Sequence, residues 1–240
     1  MIPKKIHYCW FGGKELPPLA KKCIDSWKKY CPDYEIIEWN ESNFDVKFNK
    51  YVQEAYENKK WAFVSDVARL YALYNYGGIY MDTDVEVIKN LDDFLEHQAF
   101  SGFEAYDRVP TGIMACSKKN KLFKKFLDFY NDKSFVKEDG TFDITTNVTI
   151  ITNELMKSGL LKNNTFQIVD GFALYPCEYF CPLDYDTKVL KKTKNTYTIH
   201  WFNGSWIDKK TKMKKSIRKL IVKVIGEKNT KKITKLFKKK

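Results

Sequence analysis

Two aspartates separated by one residue, Asp82 and Asp84, form the strongest chemical feature of this 240-residue sequence. Carboxylate oxygens are the preferred ligands of hard divalent cations, and two carboxylates can hold one such ion. The surrounding segment, Ile79 to Val87, alternates strictly and predicts a β-strand. Alternate side chains of a strand share a face, so Tyr80 and Glu86 should lie on the same side as the aspartates. The pattern is compatible with a divalent-metal site and with an edge strand that has a solvated acidic face.

A second charged pair, Asp66 and Arg69, precedes this strand. The apolar and aromatic stretch from Trp61 to Tyr76 predicts a buried helix that ends at Gly77 and Gly78. Residues three apart lie on one helical face, so Asp66 and Arg69 can pair. Burying two charges is costly, and a functional site therefore competes seriously with a structural ion pair. We favour the functional interpretation.

The elements that must position these charges begin at the N-terminus. Ile6 to Phe11 predicts a strand closed by two glycines, and Leu19 to Tyr30 predicts a helix that ends before Pro32. Tyr34 to Trp39 predicts a second strand, and helical segments follow around residues 50–75. This β-α-β opening predicts an α/β sheet of the nucleotide-binding kind. Near the other end, Thr196 to Trp201 predicts a last strand.

The charged helix and acidic strand together resemble the DXD sugar-binding region of glycosyltransferase family 32. The resemblance lies in SDVAR at 65–69 and GGIYMDTD at 77–84. That family includes bacterial capsular-polysaccharide transferases, and the catalytic domains of large clostridial glucosylating toxins carry a similar pattern. The opening IPKKIHYCWFG at 2–12 and the segment HWFNGSW at 200–206 also resemble the family. The resemblance therefore covers nearly all of residues 1–208.

This resemblance implies a single α/β domain of the GT-A type over residues 1–208. It also implies a nucleotide-diphospho-sugar as donor, with a UDP-sugar favoured, and retention of configuration at the anomeric carbon. Trp10 would lie against the nucleobase. Asp66 and Arg69, with Ser65 beside them, would hold hydroxyl groups of the donor sugar and the ribose.

The resemblance further implies a Mn²⁺ or Mg²⁺ cofactor. Asp82 would contact the ribose and the metal, Asp84 would bind the metal directly, and Tyr80 would help to shape the pocket. His200 would complete the metal ligands or touch the diphosphate, although a lone histidine is often a satisfied core residue. A carboxylate-held cation would stabilise the charge that develops on the leaving phosphate.

Ser205 and Trp206 follow in a glycine-containing loop. The Trp206 indole N–H would donate to the diphosphate or the glycosidic oxygen from a mobile lid, unless this side chain is a buried packing aromatic. Both residues are therefore candidates for donor binding, and Trp206 is a candidate for catalysis.

Acceptor-side residues are less clear from the sequence. Thr146 and Asn147 stand where members of the family carry a turn of small residues, so we regard them as candidates on that side. Glu104 and Asp107 could also reach the acceptor, but solvated loop charges explain these two residues better.

The charge of the chain is concentrated in a tail at residues 209–240. The chain carries 42 Lys and Arg against 30 Asp and Glu, a formal charge of +12. The tail holds 15 of these basic residues and one acid, which leaves 27 basic and 29 acidic side chains in residues 1–208. The body is therefore not a basic surface of the kind that follows a phosphate backbone, which argues against nucleic-acid binding.

Within the tail, apolar residues from Ile217 to Ile225 recur at helical spacing among lysines. A basic amphipathic helix can lie on an anionic membrane, or it can be an ordinary terminal helix packed on the domain. No segment approaches the roughly 18 apolar residues of a membrane span, and the N-terminus lacks a signal-peptide pattern. We therefore expect a cytoplasmic protein, peripheral on the inner membrane face if the tail binds lipid. Its six cysteines lack a CxxC pair, so we expect reduced thiols.

The function predicted from the sequence is transfer of a hexose or N-acetylhexosamine to a polysaccharide or lipid-linked glycan acceptor. Two alternatives stay open. One is a toxin-like transferase that glycosylates a protein hydroxyl group. The other, of a different class, is a nucleic-acid-binding protein that acts through the basic tail, whose affinity would fall steeply with salt.

Overall fold

The computed structural model describes residues 1–105 and 107–204. Ser205, Trp206 and the basic tail at 209–240 lie outside the described residues. The described part of the chain contains nine strands and six α-helices. The strands are β1 (Lys5–Cys9), β2 (Glu35–Trp39), β3 (Gly78–Met81), β4 (Val85–Val87), β5 (Ala99–Gly102), β6 (Ile113–Cys116), β7 (Gln167–Val169), β8 (Phe172–Tyr175) and β9 (Thr198–His200). The helices are α1 (Pro18–Tyr30), α2 (Lys50–Glu57), α3 (Trp61–Tyr76), α4 (Lys121–Asp128), α5 (Asn147–Lys157) and α6 (Cys177–Phe180).

Seven of the strands form a mixed sheet in the order β2-β1-β3-β6-β5-β8-β7. Strand β1 pairs in parallel with both β2 and β3, whereas β6 is antiparallel to its neighbours β3 and β5. Strands β4 and β9 form a separate antiparallel pair. The α/β class predicted from the sequence is confirmed, and the mixed sheet agrees with the expected GT-A type.

The β-α-β opening is confirmed, with β1, α1 and β2 within two residues of the predicted limits. Helix α3 has the predicted limits. It ends at Gly77, whose φ of +67° is strained for other residues. A Cβ at Gly77 would lie 2.6 Å from the backbone nitrogen of Lys118. The chain therefore leaves α3 and enters β3 at once, which brings the charges of α3 close to the end of that strand.

The single strand predicted from Ile79 to Val87 is wrong. The chain forms β3, turns at Asp82 to Asp84, and continues as β4 in the second sheet. A backbone hydrogen bond of 2.9 Å from Val85 N to Asp82 O closes this turn. The two aspartates therefore lie in a turn between two sheets and not on one face of a strand.

Apolar side chains fill both faces of the central sheet. One cluster joins the sheet to α2, α3 and α4, and the other joins it to α1 and the β4–β9 pair. Tyr80 belongs to the first cluster, whereas Ile79 and Met81 belong to the second, as alternation along β3 requires. No helix among residues 1–105 and 107–204 combines the length and the apolar character needed to cross a bilayer.

Candidate functional site

The site lies at the edge of the sheet where the parallel strands β1 and β3 end. Register pairs His7 with Tyr80, so Trp10 and Asp82 follow neighbouring strands at the same edge. Trp10 is half-buried, and its backbone N–H donates to Trp39 O at 2.9 Å, next to the end of β2. The crevice outside the carboxyl ends of parallel strands is the usual ligand position in open α/β sheets.

Asp82, Asp84 and His200 form a cluster in which one ligand atom from each residue lies within 4.8 Å of the others. The turn supplies the two carboxylates, and the β4–β9 register supplies the histidine by pairing Val85 with His200. The expected convergence of the aspartates therefore occurs, but through a turn. Glu86 is not part of this cluster. Its carboxylate instead accepts a 2.9 Å hydrogen bond from the Trp201 indole N–H.

His200 and Asp84 are directly paired, with Nε2 3.2 Å from Oδ1. Burial opposes charge on both side chains, but Asp84 raises the pKa of His200 well above its usual value, and His200 lowers the pKa of Asp84. The backbone N–H of Asn203 also donates to Asp84 Oδ2 at 2.7 Å. The other ring nitrogen of His200, Nδ1, is buried without a hydrogen-bond partner among the described residues.

The donor set of this cluster fits a divalent cation. Two carboxylates and an imidazole are ligand types that Mn²⁺ accepts, whereas Mg²⁺ is usually held by carboxylates and water. The side chains of Asp82 and Asp84 are 29% and 16% exposed, so an ion can reach them from solvent.

Arg69 connects this cluster to helix α3. Its Nη2 lies 3.2 Å from Asp66 Oδ1, and its Nη1 lies 3.3 Å from Asp82 Oδ1. Nη1 also donates to Thr111 O at 2.7 Å, and Nε donates to Ser65 O at 3.1 Å. Burial opposes its charge, but Asp82, Tyr80 and Asp66 hold the pKa of Arg69 above the usual range. The predicted pairing of Asp66 with Arg69 is present, and it extends to the first aspartate of the turn.

Asp66 is buried, and burial raises its pKa to about 6 although Arg69 and the backbone N–H of Asn147 act in the opposite direction. Tyr80 lies beneath the guanidinium, with Arg69 Cζ 4.5 Å from the ring centroid. Its hydroxyl donates to Asp82 Oδ1 at 2.9 Å. Tyr80, which is only 1% exposed, therefore orients the Asp82 carboxylate from the buried side of the site.

Asn147 is a supporting residue of Asp66 and not an acceptor-side residue. Its side chain is fully buried, and its Nδ2 donates to Asp66 O at 2.7 Å. Its backbone N–H, at the start of α5, donates to Asp66 Oδ2 at 3.2 Å. Tyr130 in turn donates to Asn147 Oδ1 at 2.6 Å. The neighbouring Thr146 is the residue that precedes α5.

Three further residues are neighbours of the cluster: Gly112 and Cys181, which the sequence analysis did not single out, and Glu104, which it interpreted as a solvated loop charge. Glu104 is half-buried, its carboxyl group interacts electrostatically with His200 and Asp82, and burial raises its pKa. Gly112 packs against the His200 ring, and Cys181 places its thiol next to the same ring. Only the β5–β6 connection and the end of α6 bring them there. Asp107, in contrast, is exposed and pairs with Arg108, as expected for a loop charge.

The structure thus brings together seven of the candidate residues at one edge of the sheet. Ser65, Asp66, Arg69, Tyr80, Asp82, Asp84 and His200 are linked by contacts. Trp10 lies at the same edge of the sheet. Ser205 and Trp206 lie outside the described residues, so their assignment stays a prediction.

Comparison with known proteins identifies a related sequence region that includes part of this site. Residues 17–101 match the family model described as the glycosyltransferase sugar-binding region containing a DXD motif. The match includes α3 and the Asp82–Asp84 turn. His200 lies outside the matched residues.

Two relatives carry glycosyltransferase names. Inositol phosphoceramide mannosyltransferase 3 of Schizosaccharomyces pombe is 30% identical over 129 residues, which are 49% of this chain and 34% of that protein. The uncharacterized glycosyltransferase L373 of Acanthamoeba polyphaga mimivirus is 24% identical over 203 residues, 76% of this chain and 78% of the viral protein. The chain therefore spans about a third of the length of the yeast relative.

Among solved structures, the PaToxG glycosyltransferase superposes with a TM-score of 0.49 at 24% identity, covering 65% of this chain and 69% of that one. The chain thus has glycosyltransferase homologues, and its residues 17–101 contain the glycosyltransferase sugar-binding region with its DXD motif.

Proposed function

We propose that this protein is a metal-dependent, retaining glycosyltransferase related to family 32. It transfers a hexose or N-acetylhexosamine from a nucleotide-diphospho-sugar to a polysaccharide or lipid-linked glycan acceptor. The observation that carries the proposal is the Asp82–Asp84–His200 cluster, whose ligand atoms lie within 4.8 Å of one another beside the buried Asp66–Arg69 pair.

Each residue has a part in this reaction. Asp82, Asp84 and His200 hold the cation, which when bound supplies Lewis-acid stabilisation of the leaving diphosphate. Asp66 and Arg69 hold hydroxyl groups of the donor, and Trp10 covers its base. Because the Arg69 guanidinium also contacts Asp82, one group sets the position of the donor hydroxyls relative to the metal ligand Asp82.

No side chain is required as a base in this scheme. The resemblance implies attack of the acceptor hydroxyl on the same face that the diphosphate leaves, with the departing phosphate accepting the proton. The chain's own contribution is orientation of donor and acceptor and stabilisation of developing charge.

The test is release of free sugar and nucleotide from a panel of UDP-, GDP- and other nucleotide-sugars. The panel includes an activated mannose, since the yeast relative is named a mannosyltransferase. We expect turnover of one donor that requires Mn²⁺, stops with EDTA and is lost in Asp84→Asn. Asp132→Asn, an exposed Asp-to-Asn change elsewhere, is the matched control and should keep full turnover.

Turnover that is unchanged by EDTA or by Asp84→Asn contradicts the metal-dependent scheme. If no donor is hydrolysed, Mn²⁺-dependent binding of the nucleotide-sugars is measured. Absence of any binding would reject the function and return the nucleic-acid alternative to consideration.

We also propose that the tail at 209–240 holds the enzyme on an anionic membrane surface, where a lipid-linked acceptor is found. Its support is the sequence alone, with 15 basic residues and an apolar stripe at helical spacing. Removal of residues 209–240 should release the protein from vesicles of anionic lipid and leave donor hydrolysis intact. Unchanged vesicle binding would reject this part of the proposal.

A further inference from the structure

A cavity of about 330 Å³ is lined in part by Cys181, whose side chain interacts with His200 of the Asp82–Asp84–His200 cluster. Its walls come from the β5–β6 connection, the α5–β7 loop, α6 and the chain from Pro182 to Thr193. Helix α3 and its donor-binding candidates contribute nothing to the walls. The cavity is therefore distinct from the region assigned to the donor.

Cys181 is the wall residue that connects the cavity with the candidate metal ligand His200. Cys181 lines the cavity, and its thiol lies against the His200 imidazole. A second wall residue, Ala105, directly follows Glu104, whose carboxyl group interacts electrostatically with His200 and Asp82. A molecule in the cavity would thus lie next to the cluster.

The cavity wall and His200 are parts of one hydrogen-bonded unit. Tyr197 N donates to Tyr179 O at 2.8 Å, and the Thr198 hydroxyl donates to Phe180 O at 2.8 Å. These bonds tie α6 to β9, the strand that carries His200. The distance from the cavity to the cluster is consequently fixed by secondary structure.

The cluster has two sides, and a transferase needs both. On one side Asp82 contacts Arg69 of α3, and on the other His200 contacts Cys181 of the cavity wall. Two substrates must meet at the reacting carbon. We propose that the cavity binds the sugar residue of the acceptor that receives the transferred sugar. This inference rests on the proposed glycosyltransferase function and adds the location of its second substrate.

The lining suits a saccharide. Asn164 Oδ1 accepts from Cys177 N at 2.7 Å, which turns the amide NH₂ of Asn164 into an oriented donor. Glu178 Oε1 accepts from Asn195 Nδ2 at 3.0 Å, which holds an acceptor carboxylate in place. Donor and acceptor groups of this kind pair with sugar hydroxyls.

Apolar groups complete the wall. Pro176, Pro182 and Leu183 line the cavity and offer surface to the C–H faces of a ring. Ligand cavities in proteins begin at about 300 Å³, so this one is at the small end of that range. A single sugar residue, with the rest of the glycan in solvent, is the occupant that fits.

The test blocks the cavity with a large side chain introduced at its exposed opening. Thr193 is exposed and lines the cavity, whereas its neighbour Lys192 is exposed and does not. Thr193→Trp places an indole in the opening, and Lys192→Trp adds the same group outside it. The probes are methyl glycosides of common hexoses and N-acetylhexosamines, with binding detected by saturation-transfer NMR on the full chain.

We expect at least one glycoside to bind the natural protein and Lys192→Trp, with affinity at least about tenfold lower in Thr193→Trp. Glu178→Ala, which removes an acceptor without filling the space, should weaken binding of the same glycoside. Failure of every glycoside to bind the natural protein, or equal binding by the two tryptophan variants, overturns the inference.

Donor hydrolysis by the same variants separates this inference from the proposed function. Lys192→Trp, which lies outside the cavity, should hydrolyse the donor to water within about twofold of the natural protein. In Thr193→Trp, transfer to the bound glycoside should fall by the factor by which its binding falls. Glycoside binding without any turnover or binding of a nucleotide-sugar would reject the transferase function, whereas donor turnover without glycoside binding would reject the cavity alone.

Discussion

Arg69 Nη1 lies 3.3 Å from Asp82 Oδ1, although the two residues belong to a helix and to the turn that follows the next strand. The short connection through Gly77 and Gly78 makes this contact possible. The same guanidinium contacts Asp66, Ser65 O and Thr111 O. The buried guanidinium group of Arg69 thus fixes Asp66, a predicted donor-sugar-binding residue, relative to Asp82, a candidate metal ligand.

Arg69→Lys should remove most of this alignment while keeping the charge. A lysine ammonium is a point charge and cannot reproduce the planar fork that contacts several acceptors. We expect a loss of about 2–4 kcal/mol in the free energy of unfolding, because the buried Asp66 carboxylate loses its guanidinium partner. Donor turnover should fall by about a hundredfold, as small misplacements of reacting groups can cause. Urea unfolding and the hydrolysis assay measure the two effects.

Arg108→Lys is the matched control for that change. Arg108 is exposed, and its Nε lies 3.3 Å from Oδ1 of the neighbouring Asp107. Its substitution should change the free energy of unfolding by less than about 0.5 kcal/mol. An Arg69→Lys variant that hydrolyses donor as fast as Arg108→Lys would show that the guanidinium fork does not align the site.

Much of this site could be predicted from the sequence because its residues are close along the chain. The helical period predicted that Asp66 lies near Arg69. The short connection through Gly77 and Gly78 predicted that both lie near the strand that leads to Asp82. Strand periodicity alone failed at Asp84, since a pattern of alternation does not show where a chain leaves one sheet for another. His200 was found only through the resemblance, because the β4–β9 pairing that positions it joins residues over a hundred positions apart.

Asn147→Ala should destabilise the protein and lower donor turnover together. The change removes the amide that donates to Asp66 O and accepts from the Tyr130 hydroxyl, which leaves the buried Tyr130 hydroxyl without its acceptor. An unpaired buried group of this kind costs about 1–3 kcal/mol. Asp66 would also lose one of the bonds that hold it beside Arg69. Urea unfolding and the KM for the donor sugar measure these effects.

Tyr130→Phe distinguishes alignment from stability alone. It removes the hydroxyl that donates to Asn147 Oδ1 and leaves the hydrogen bond from Asn147 Nδ2 to Asp66 O in place. We expect destabilisation of about 1 kcal/mol with an unchanged KM. If Tyr130→Phe and Asn147→Ala raise KM equally, the amide does not position Asp66.

The residues whose contacts with the site could not be predicted from the sequence share one physical property. Asn147, Glu104 and Cys181 each come from a different loop or helix end and meet the site only through long-range packing. Their local patterns are ordinary for a helix start, a loop acid and a buried thiol. Non-local contacts of this kind leave no periodic signal in the chain.

His7 should make the protein less stable as the pH falls from 6.5 to about 4. Trp39 Nε1 donates to His7 Nδ1 at 3.1 Å, so Nε2 carries the proton and donates to Gly77 O at 2.7 Å. Protonated Nδ1 would face another donor, and burial lowers the pKa of His7 to about 4. The unfolded chain therefore binds more protons in this window, and the expected loss of stability is about 3 kcal/mol.

His7→Asn keeps a side-chain acceptor and donor but cannot titrate. Its free energy of unfolding should depend less on pH than that of the natural protein between pH 7 and pH 4, by about 3 kcal/mol. The buried Asp66, whose pKa is raised, acts in the opposite direction in both proteins and cancels in the comparison. His97→Asn, at a half-exposed histidine, should keep most of the natural pH dependence. Equal pH dependence of the natural protein and His7→Asn would contradict the buried neutral histidine.

Gly112→Ala should weaken metal binding by displacing His200. A Cβ at Gly112 would lie 2.6 Å from His200 Cε1 and 2.7 Å from Nδ1, closer than real Cβ contacts allow. The ring therefore has to move relative to Asp84. Changes behind a metal ligand typically cost about 10- to 100-fold in affinity. Mn²⁺ titrations followed by electron paramagnetic resonance count free ion and give the affinity directly.

A double-mutant cycle with His200→Ala decides how Gly112 acts. If the added methyl group works through the imidazole, Gly112→Ala lowers Mn²⁺ affinity in the natural background but has little effect once the ring is gone. Gly112 O also accepts a 2.8 Å hydrogen bond from Asp82 N, which offers a second route to the cluster. An equal loss of affinity in both backgrounds would assign the effect to the Asp82 turn and remove His200 from the explanation. The residual affinity of His200→Ala then reports what the two carboxylates bind without the imidazole.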